Sequence, residues 1–306
     1  MLPPSPTPLV RLGNLFPRHE VHAKCEFLAP SGCFKIRGAT HLLEHLQQAG
    51  RTRHLVVPSM GNTALGAAVG ARAFGFTMTG VVPQTIGRAK DEKLRALGVE
   101  LVKIAGGGSD LLRTATALAA ERGAYFVHPH LDPLWTDGYR TIAAEVLAAL
   151  PGRQSLVFPL GGGGLLMGLV AHLREHPAPV RLFGCEPHNY PKYARFDHPR
   201  SATIADGLLL ETPHPAVQHA IADAGVTVGL VPEADIKAAL RDLFETQGLV
   251  VEPSSAVPLA FIQAHLAELP GPIGVILTGE NIAREDHRRL VAEATPRPGP
   301  ASAVYG

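Results

Sequence analysis

The chain has 306 residues, and its 28 Lys and Arg residues nearly balance 27 Asp and Glu residues, giving a formal net charge of +1. Nucleic acid and anionic membranes usually attract a basic excess, so neither is expected as a partner and a small molecule is favoured. The 46% hydrophobic content can bury one large core or two modest ones. Three cysteines without CxxC spacing argue against a disulfide framework or a zinc site, which makes the cytoplasm the expected location.

Strand-like and helix-like segments alternate from residue 54 onward. In order, the sequence predicts a strand at 54–58, a helix at 63–74, a strand at 77–82, a helix at 88–97, a strand at 100–104 and a helix at 109–122. Helices of 10–15 residues between short buried strands are typical of parallel sheets joined by crossover helices. The first block therefore predicts an α/β lobe.

A second alternating block begins near residue 155. It comprises a predicted strand at 155–159, a helix at 165–175, a strand at 180–185, helices at 233–246 and 254–269, and a late strand at 273–277. Segment 188–204 is rich in His, Pro and aromatic residues and predicts an irregular loop, and the tail from about residue 295 is expected to be poorly ordered. Two α/β lobes that share one active cleft are the simplest interpretation.

Four successive glycines, Gly161 to Gly164, follow one of these strands and open a helix. Backbone without side chains can approach an anion closely, and a helix N-terminus adds N–H donors and its dipole. The segment is not a Walker loop, because no Gly-Lys-Ser/Thr follows, and it is not a dinucleotide GxGxxG motif in the first βα unit. The pattern favours a phosphate site over a simple tight turn.

Lys35 stands between Phe34 and Ile36 and precedes Arg37. Most lysines are solvated surface charges, and the local sequence leaves that interpretation open. Beside an apolar wall and a second cation, however, a lysine amine loses proton affinity and becomes a nucleophile toward an aldehyde. Lys35 is therefore a candidate nucleophile.

Two polar turns follow predicted strands. Ser59, Asn62 and Thr63 lie where a strand gives way to a helix, so the turn either binds a carboxylate or simply caps the helix. Thr278 follows the last strand, at the carboxyl edge where open α/β sheets bind ligands. It either reaches a heteroaromatic nitrogen or belongs to an ordinary turn.

In their order and spacing, these segments resemble the fold type II pyridoxal-phosphate enzymes, nearest to threonine/serine dehydratases and serine racemases. The matching segments are Thr7-Pro-Leu, Ser31–Ala39, Ser59–Asn62, Val81-Val-Pro-Gln-Thr, His128-Pro, Gly161–Leu165, Cys185-Glu-Pro, Thr203-Ile-Ala-Asp-Gly, Val251-Glu-Pro and Leu277–Asn281. The resemblance implies the α/β fold of the tryptophan synthase β type, with two three-layer αβα lobes on mostly parallel twisted sheets. It also implies a large cofactor-binding domain (1–40 and 136–306), a smaller inserted domain (41–135) and a homodimer.

The same resemblance implies a role for each motif residue. Lys35 would carry pyridoxal 5′-phosphate as a Schiff base and, once displaced by substrate, take the Cα proton. Phe34 would pack beside the ring, Asn62 would bond its hydroxyl oxygen, and Thr278 would leave the pyridine nitrogen largely unprotonated because its hydroxyl is neutral. The phosphate would be held by the backbone of Gly161, Gly162, Gly163, Gly164 and Leu165.

The implied substrate-carboxylate turn departs from the family pattern. It comprises Ser59, Met60, Gly61 and Thr63. Met60 stands where relatives usually have a second serine that can reprotonate the opposite face of Cα. A thioether cannot donate a proton, so racemisation is disfavoured.

Two further departures concern charge. In Gly138-Tyr-Arg-Thr, which differs from the common Gly-Gln-Gly-Thr, Arg140 either reads an acidic substrate side chain or, as we favour, forms a surface salt bridge. At the cation site of metal-binding relatives, this chain has Glu186, Tyr190 and Lys192. No metal is therefore expected, and we hypothesise that the Lys192 ammonium replaces it and pairs with Glu186.

The leading interpretation is a cytoplasmic lyase that removes water and then ammonia from a small hydroxy amino acid such as serine or threonine, using pyridoxal 5′-phosphate. A β- or γ-replacement enzyme of the cysteine synthase or threonine synthase type is the alternative. A non-catalytic cofactor-binding protein is a third interpretation, and the presence of Lys35 argues against it.

Overall fold

The computed structural model describes residues 6–59, 61–195 and 199–295. Within them the chain divides into two compact units, each with its own sheet. The first contains Ala29–Glu145 and Gly162–His176, and the second contains Thr7–Leu28, Val146–Gly161 and the chain from residue 177 onward. The domain boundaries expected from sequence, at residues 40 and 136, stay a prediction. The tail expected to be poorly ordered lies, beyond residue 295, outside the described residues.

The strands and helices alternate along most of the chain. The strands are β1 (Leu9–Arg11), β2 (Val21–Cys25), β3 (His54–Pro58), β4 (Thr77–Pro83), β5 (Glu100–Ile104), β6 (Tyr125–Phe126), β7 (Gln154–Pro159), β8 (Val180–Pro187), β9 (Thr227–Val231) and β10 (Ile273–Leu277). The helices are α1 (Lys35–Gln48), α2 (Asn62–Phe74), α3 (Arg88–Ala96), α4 (Gly108–Arg122), α5 (Pro133–Asp137), α6 (Arg140–Ala149), α7 (Gly164–Glu175), α8 (Pro215–Asp223), α9 (Glu233–Gln247), α10 (Pro253–His265) and α11 (Arg284–Ala292).

The sheet of the first unit has four parallel strands in the order β5-β4-β3-β6. The inner strands β3 and β4 consist almost entirely of buried residues, as expected of parallel strands covered on both faces. Their core includes Val56 and Val81, against which Leu111 and Ala115 of α4 pack. Two long helices, α1 and α2, also belong to this unit and carry its site residues.

The sheet of the second unit has the order β1-β2-β10-β7-β8-β9, and only β1 pairs antiparallel among these strands. Strand β10 lies at the centre, with Ile273 opposite both Val21 and Ser155. Because β7 and β10 are parallel neighbours, their carboxyl ends lie at the same edge of the sheet. Gly161 and Thr278, which follow these two strands, therefore emerge at one edge.

The expectation of two α/β lobes with mostly parallel sheets is confirmed. Several elements begin and end within two residues of the predicted positions, and β5 and β10 match them fully. The sequence did not predict α1, which starts at Lys35 itself and has no side-chain cap at Phe34. None of the helices in the part of the chain described here is long and apolar enough to cross a membrane.

Candidate active site

Lys35 is the first residue of α1, and its ammonium lies over aromatic rings. Its Nζ is 4.6 Å from the centroid of Phe34 and 5.6 Å from that of Tyr139. The two rings are 4.7 Å apart and tilted by 49°. A ring face attracts a cation, so the pair holds the half-buried lysine against an apolar wall. The structure thus places Lys35 in the apolar setting inferred from its neighbours in sequence.

Close packing of α1 on α2 brings Lys35 beside the polar turn. A Cβ on Gly66 of α2 would lie 2.6 Å from the Cβ of Lys35, so only glycine permits this approach. The Cys33 thiol, two residues before Lys35, lies 3.7 Å from the carbonyl oxygen of Asn62, the first residue of α2. The first turns of α1 and α2 therefore meet, and Lys35 and Asn62 belong to the same end of the first unit.

The turn before α2 is organised by Ser59. Its Oγ accepts hydrogen bonds from the amides of Gly61 and Ala64, each at 3.0 Å, so Ser59 caps the helix. Thr63 is buried one position into the helix. Met60, expected to contact the substrate, lies outside the described residues. The capping and carboxylate-binding interpretations are compatible, because a capped helix N-terminus retains N–H groups directed outward.

A second lysine reaches this turn from α3. The Nζ of Lys90 would lie 3.1 Å from a Cβ on Gly61, with its Cδ and Cε at 3.3 Å. The stem of Lys90 therefore follows the backbone of Gly61 and brings a positive charge to the turn. Nothing in the local sequence of Lys90 distinguishes it from the exposed Lys93 of the same helix, and sequence reasoning missed it.

The glycine loop has the shape that a phosphate site requires. Gly163 adopts a left-handed φ of 87° at the N-cap of α7, a conformation that favours glycine. A Cβ on Gly162 would overlap the ring of His130, and a Cβ on Gly164 would lie 3.3 Å from the His130 carbonyl oxygen. The loop therefore leaves no room for side chains on this face, and a bare helix N-terminus follows it. These residues fit a phosphate group.

Tyr139 contacts both the helix that follows the glycine loop and the aromatic ring beside Lys35. Its Cβ would lie 2.6 Å from a Cβ on Gly168 in α7, and its ring faces Phe34. Its hydroxyl accepts a hydrogen bond from the Trp135 indole, and complete burial raises its pKa well above the usual value for tyrosine. Tyr139 is therefore a neutral part of the wall. In the sequence, Tyr139 stands out only as part of the segment Gly138-Tyr-Arg-Thr, which differs from the family pattern, and the sequence predicts no role for it.

In the second unit, Thr278 is buried at the carboxyl end of β10. Its Oγ1 lies 3.1 Å from Oγ of Ser255, and Ser255 also bonds the carbonyl and the amide of Gly279. Gly161 lies at the same sheet edge, where a Cβ on it would be 3.3 Å from Leu208. A hydroxyl at the edge where ligands bind is thus held in place by a second hydroxyl that the sequence did not identify.

The charged residues that depart from the family pattern, Arg140 and the pair of Glu186 and Lys192, lie in two different environments. Arg140 forms ion pairs with Asp137 and Glu175, both partly exposed side chains. Lys192 and Glu186 are fully buried, with Nζ 3.2 Å from Oε1. Within the described ranges, no cluster of three or more His, Cys, Asp or Glu side chains could hold a metal ion.

The chain matches one protein family over most of its length. The family model for pyridoxal-phosphate dependent enzymes covers residues 1–279. L-threonine ammonia-lyase of Geobacter sulfurreducens is 34% identical over 270 residues, which are 86% of this chain and 67% of that protein. Beta-hydroxyaspartate dehydratase of Paracoccus denitrificans is 31% identical over 269 residues, which are 85% of this chain and 84% of that protein.

Solved structures of similar fold agree with this match. A threonine deaminase of T.th. is 30% identical, with a TM-score of 0.81 over 91% of this chain and 93% of that one. Maize serine racemase, 24% identical, gives a TM-score of 0.85 over 94% of this chain and 92% of that one, which shows the fold alone. The tryptophan synthase β-like fold expected from sequence is confirmed. The chain belongs to the family of pyridoxal-phosphate dependent enzymes.

Proposed function

We propose that the protein is a pyridoxal 5′-phosphate-dependent ammonia-lyase that removes water and ammonia from a small hydroxy amino acid, such as threonine or serine, to give a 2-oxo acid. The main support is the position of Lys35, whose amine lies on an aromatic wall in the unit that also carries Gly162, Gly163 and Gly164. Relatives named threonine ammonia-lyase support the reaction class.

The residues that would hold the cofactor are those of the sequence motifs that resemble the family. The backbone N–H groups of Gly162, Gly163, Gly164 and Leu165 would bind the phosphate at the start of α7, with Gly161 before them. Phe34 would lie beside the ring and Asn62 at its hydroxyl oxygen. For Thr278, a role at the pyridine nitrogen stays a prediction from the resemblance. When bound, the cofactor supplies electron withdrawal that stabilises negative charge developing at the substrate Cα.

The remaining steps belong to side chains and backbone groups of this chain. The amine of Lys35, which is half-buried beside the rings of Phe34 and Tyr139, takes the proton from Cα. The turn from Ser59 to Thr63 binds the substrate carboxylate through the N–H groups of α2, which orients Cα toward the lysine. Tyr139 remains neutral and shapes the wall.

A second substrate class is a hydroxy amino acid with a carboxylate on its side chain. Beta-hydroxyaspartate dehydratase of Paracoccus denitrificans, which this chain matches over 84% of that protein's length, supports this substrate class. A replacement reaction of the cysteine synthase or threonine synthase type remains the alternative to elimination.

One experiment separates these functions. The holoprotein is mixed in turn with serine, threonine, β-hydroxyaspartate, O-acetylserine and O-phosphohomoserine, while 2-oxo-acid release and cofactor absorbance are followed. Oxo acid from a hydroxy amino acid supports the lyase, and the best substrate identifies the class. Turnover only of an activated ester with a second nucleophile would establish replacement instead, and cofactor binding without any turnover would refute both.

Lys35→Ala is the matched variant for this assay. We expect a loss of at least about 1,000-fold in turnover, because the variant loses both the cofactor-linking amine and the base. The substitution keeps the Cβ that packs against Gly66, so the far-UV circular dichroism should not change. Lys93→Ala, at an exposed position in α3, serves as the control.

We further propose a cytoplasmic homodimer with a large domain at 1–40 and 136–306 and a smaller domain at 41–135. Three buried free cysteines, Cys25, Cys33 and Cys185, support a reducing compartment. Light scattering of the purified protein tests the dimer, and limited proteolysis tests the domain boundaries. A monomer mass, or cleavage products that cross these boundaries, would contradict the respective proposal.

A further inference from the structure

Arg37 lies in the first turn of α1, two residues after Lys35, and its side chain is almost fully buried. Its NH1 and NH2 nitrogens donate hydrogen bonds to the two carboxylate oxygens of Glu145 in α6, at 2.6 and 2.8 Å. A guanidinium and a carboxylate match in this two-bonded geometry, here called the fork, which fixes direction as well as distance. The start of α1 is therefore tied to α6.

Thr141 connects the fork to the junction between α5 and α6. Its Oγ1 accepts a hydrogen bond from NH1 of Arg37 at 2.8 Å and donates one to the carbonyl oxygen of Gly138 at 2.9 Å. A Cβ on Gly138 would lie 2.4 Å from the carbonyl oxygen of Arg37. A Cβ on Gly38 would lie 2.6 Å from the carbonyl oxygen of Trp135, so the backbone of α1 contacts the backbone of the junction directly.

The same junction carries part of the wall around Lys35. Tyr139 directly follows Gly138, and its ring centroid lies 5.6 Å from the Nζ of Lys35. Lys35 and Arg37 belong to one helical turn, so a shift of that turn along the junction changes the distance between the amine and the ring. The fork on Arg37 therefore controls where the amine of Lys35 lies.

Arg37 acts on Lys35 through geometry more than through charge. Side chains two positions apart on a helix do not face each other, and the guanidinium lies on the carboxylate of Glu145. We infer that Arg37 is a positioning residue: through its fork with Glu145 it holds the first turn of α1 so that the amine of Lys35 stays on the aromatic wall. The inference rests on the proposed function, in which this amine takes the proton from Cα.

Arg37→Lys separates geometry from charge, because lysine keeps the cation but cannot form the fork. In the holoprotein we expect kcat to fall about 100-fold, the effect of displacing a reacting group by about 1 Å, with KM changed less than about twofold. Arg122→Lys is the matched control. Arg122 donates to both carboxylate oxygens of Glu100 elsewhere in the first unit, and loss of that pair should leave kcat unchanged.

A second readout needs neither cofactor nor turnover. In the apoprotein, amide hydrogen exchange in α1 should rise about tenfold in Arg37→Lys, because a charge-assisted hydrogen bond that opposes local opening is lost. Exchange in β3, an inner strand of the first sheet, should stay as in the native protein. Equal acceleration in α1 and β3 would mean that Arg37 only stabilises the unit, and the inference would fail.

Glu145→Gln is the second variant, and it also serves if Arg37→Lys does not fold. It keeps the volume of the side chain and removes the carboxylate, so we expect the same fall in kcat and the same local exchange. A native kcat in Arg37→Lys overturns the inference. If, in addition, Glu145→Gln shifts the pH dependence of kcat, Arg37 acts through its charge. Absence of turnover in the native holoprotein would refute the proposed function, whereas the exchange measurement would still test the fork.

Discussion

The ammonium of Lys192 lies 3.2 Å from the carboxylate of Glu186, and neither side chain has any exposed surface. The same carboxylate accepts hydrogen bonds from the backbone amides of Lys192, Tyr193 and Ala194. Glu186 is in β8, so the pair ties the chain that follows this strand back to the sheet. Burial lowers the pKa of Lys192, and the charge of Glu186 opposes that shift.

Removing one member of this pair should destabilise the protein strongly. In Lys192→Met the carboxylate of Glu186 stays buried without its cation, and we expect the free energy of unfolding to fall by about 3–5 kcal/mol. Urea denaturation measures the change. Lys192→Met combined with Glu186→Gln should recover much of the loss, because neither position then carries a buried charge. Equal loss in the single and double variants would contradict this explanation.

The pair also leads to a prediction about metal ions. A lysine ammonium already lies on the carboxylate, so a divalent cation would have to displace it from a buried position. We expect the rate of 2-oxo-acid release to be the same with added magnesium and after treatment with a chelator. Strong activation by magnesium that the chelator reverses would show that the ammonium does not take the place of a metal.

The glycine loop offers a test by rescue. A methyl group on Gly162 would overlap the ring of His130, so Gly162→Ala must displace either the loop or the imidazole. We expect the dissociation constant for pyridoxal 5′-phosphate, measured by equilibrium dialysis, to rise at least about tenfold, which is about 1.4 kcal/mol. His130→Ala added to this variant should restore most of the affinity. No rescue would mean that the alanine acts through the loop conformation alone.

The order of strands and helices could be predicted from sequence because buried strands and amphipathic helices have distinct periodicities. Helix α1 could not, since it begins at Lys35 without a polar cap, and propensity alone does not mark such a start. The helix predicted at 254–269 ends earlier in the structure, because α10 ends at His265 and Leu266–Glu268 form a short 3-10 helix.

The motif residues of the candidate site follow from the sequence as predictions, whereas the residues that contact them do not. Tyr139 and His130 are distant along the chain from Lys35 and Gly162, and only the fold brings each pair together. Ser255 is one of two adjacent serines, and its sequence does not reveal which of them bonds Thr278. Whether such residues contact the motif residues depends on a few tenths of an ångström in packing, and a sequence pattern carries no information at that scale.

Lys90 should contribute to substrate binding more than to the chemical step. Its ammonium lies beside Gly61 in the turn proposed for the substrate carboxylate, so Lys90→Ala should raise KM by about tenfold, or about 1.4 kcal/mol, and change kcat little. Lys90→Arg should retain part of the effect, and Lys93→Ala should show none. A fall in kcat at constant KM would indicate that Lys90 instead maintains the shape of the turn.

Alkaline pH should destabilise the protein in part through Cys25. Burial raises the pKa of this thiol to about 11 from a usual value of 9.0, with the charge of Lys24 acting in the opposite direction. Above pH 9 the unfolded chain therefore releases a proton that the folded chain keeps. The stability that depends on this proton is complete below pH 9 and is lost as the pH rises through 11, by about 2–3 kcal/mol in all.

Cys25→Ala isolates this contribution. The variant loses some packing at every pH, but its free energy of unfolding should fall less steeply between pH 9 and 11 than that of the native chain. Tyr125 and Tyr193, whose pKa values burial raises to about 12, add the same slope to both proteins and cancel in the difference. Urea denaturation at intervals of half a pH unit measures that difference. The buried thiol of Cys185, whose pKa burial also raises, is present in both proteins and cancels as well. The difference should shrink as the pH rises, because only the native sequence has the Cys25 thiol, which stays protonated when folded and ionises when unfolded. A difference independent of pH would mean that the Cys25 thiol ionises alike in both states.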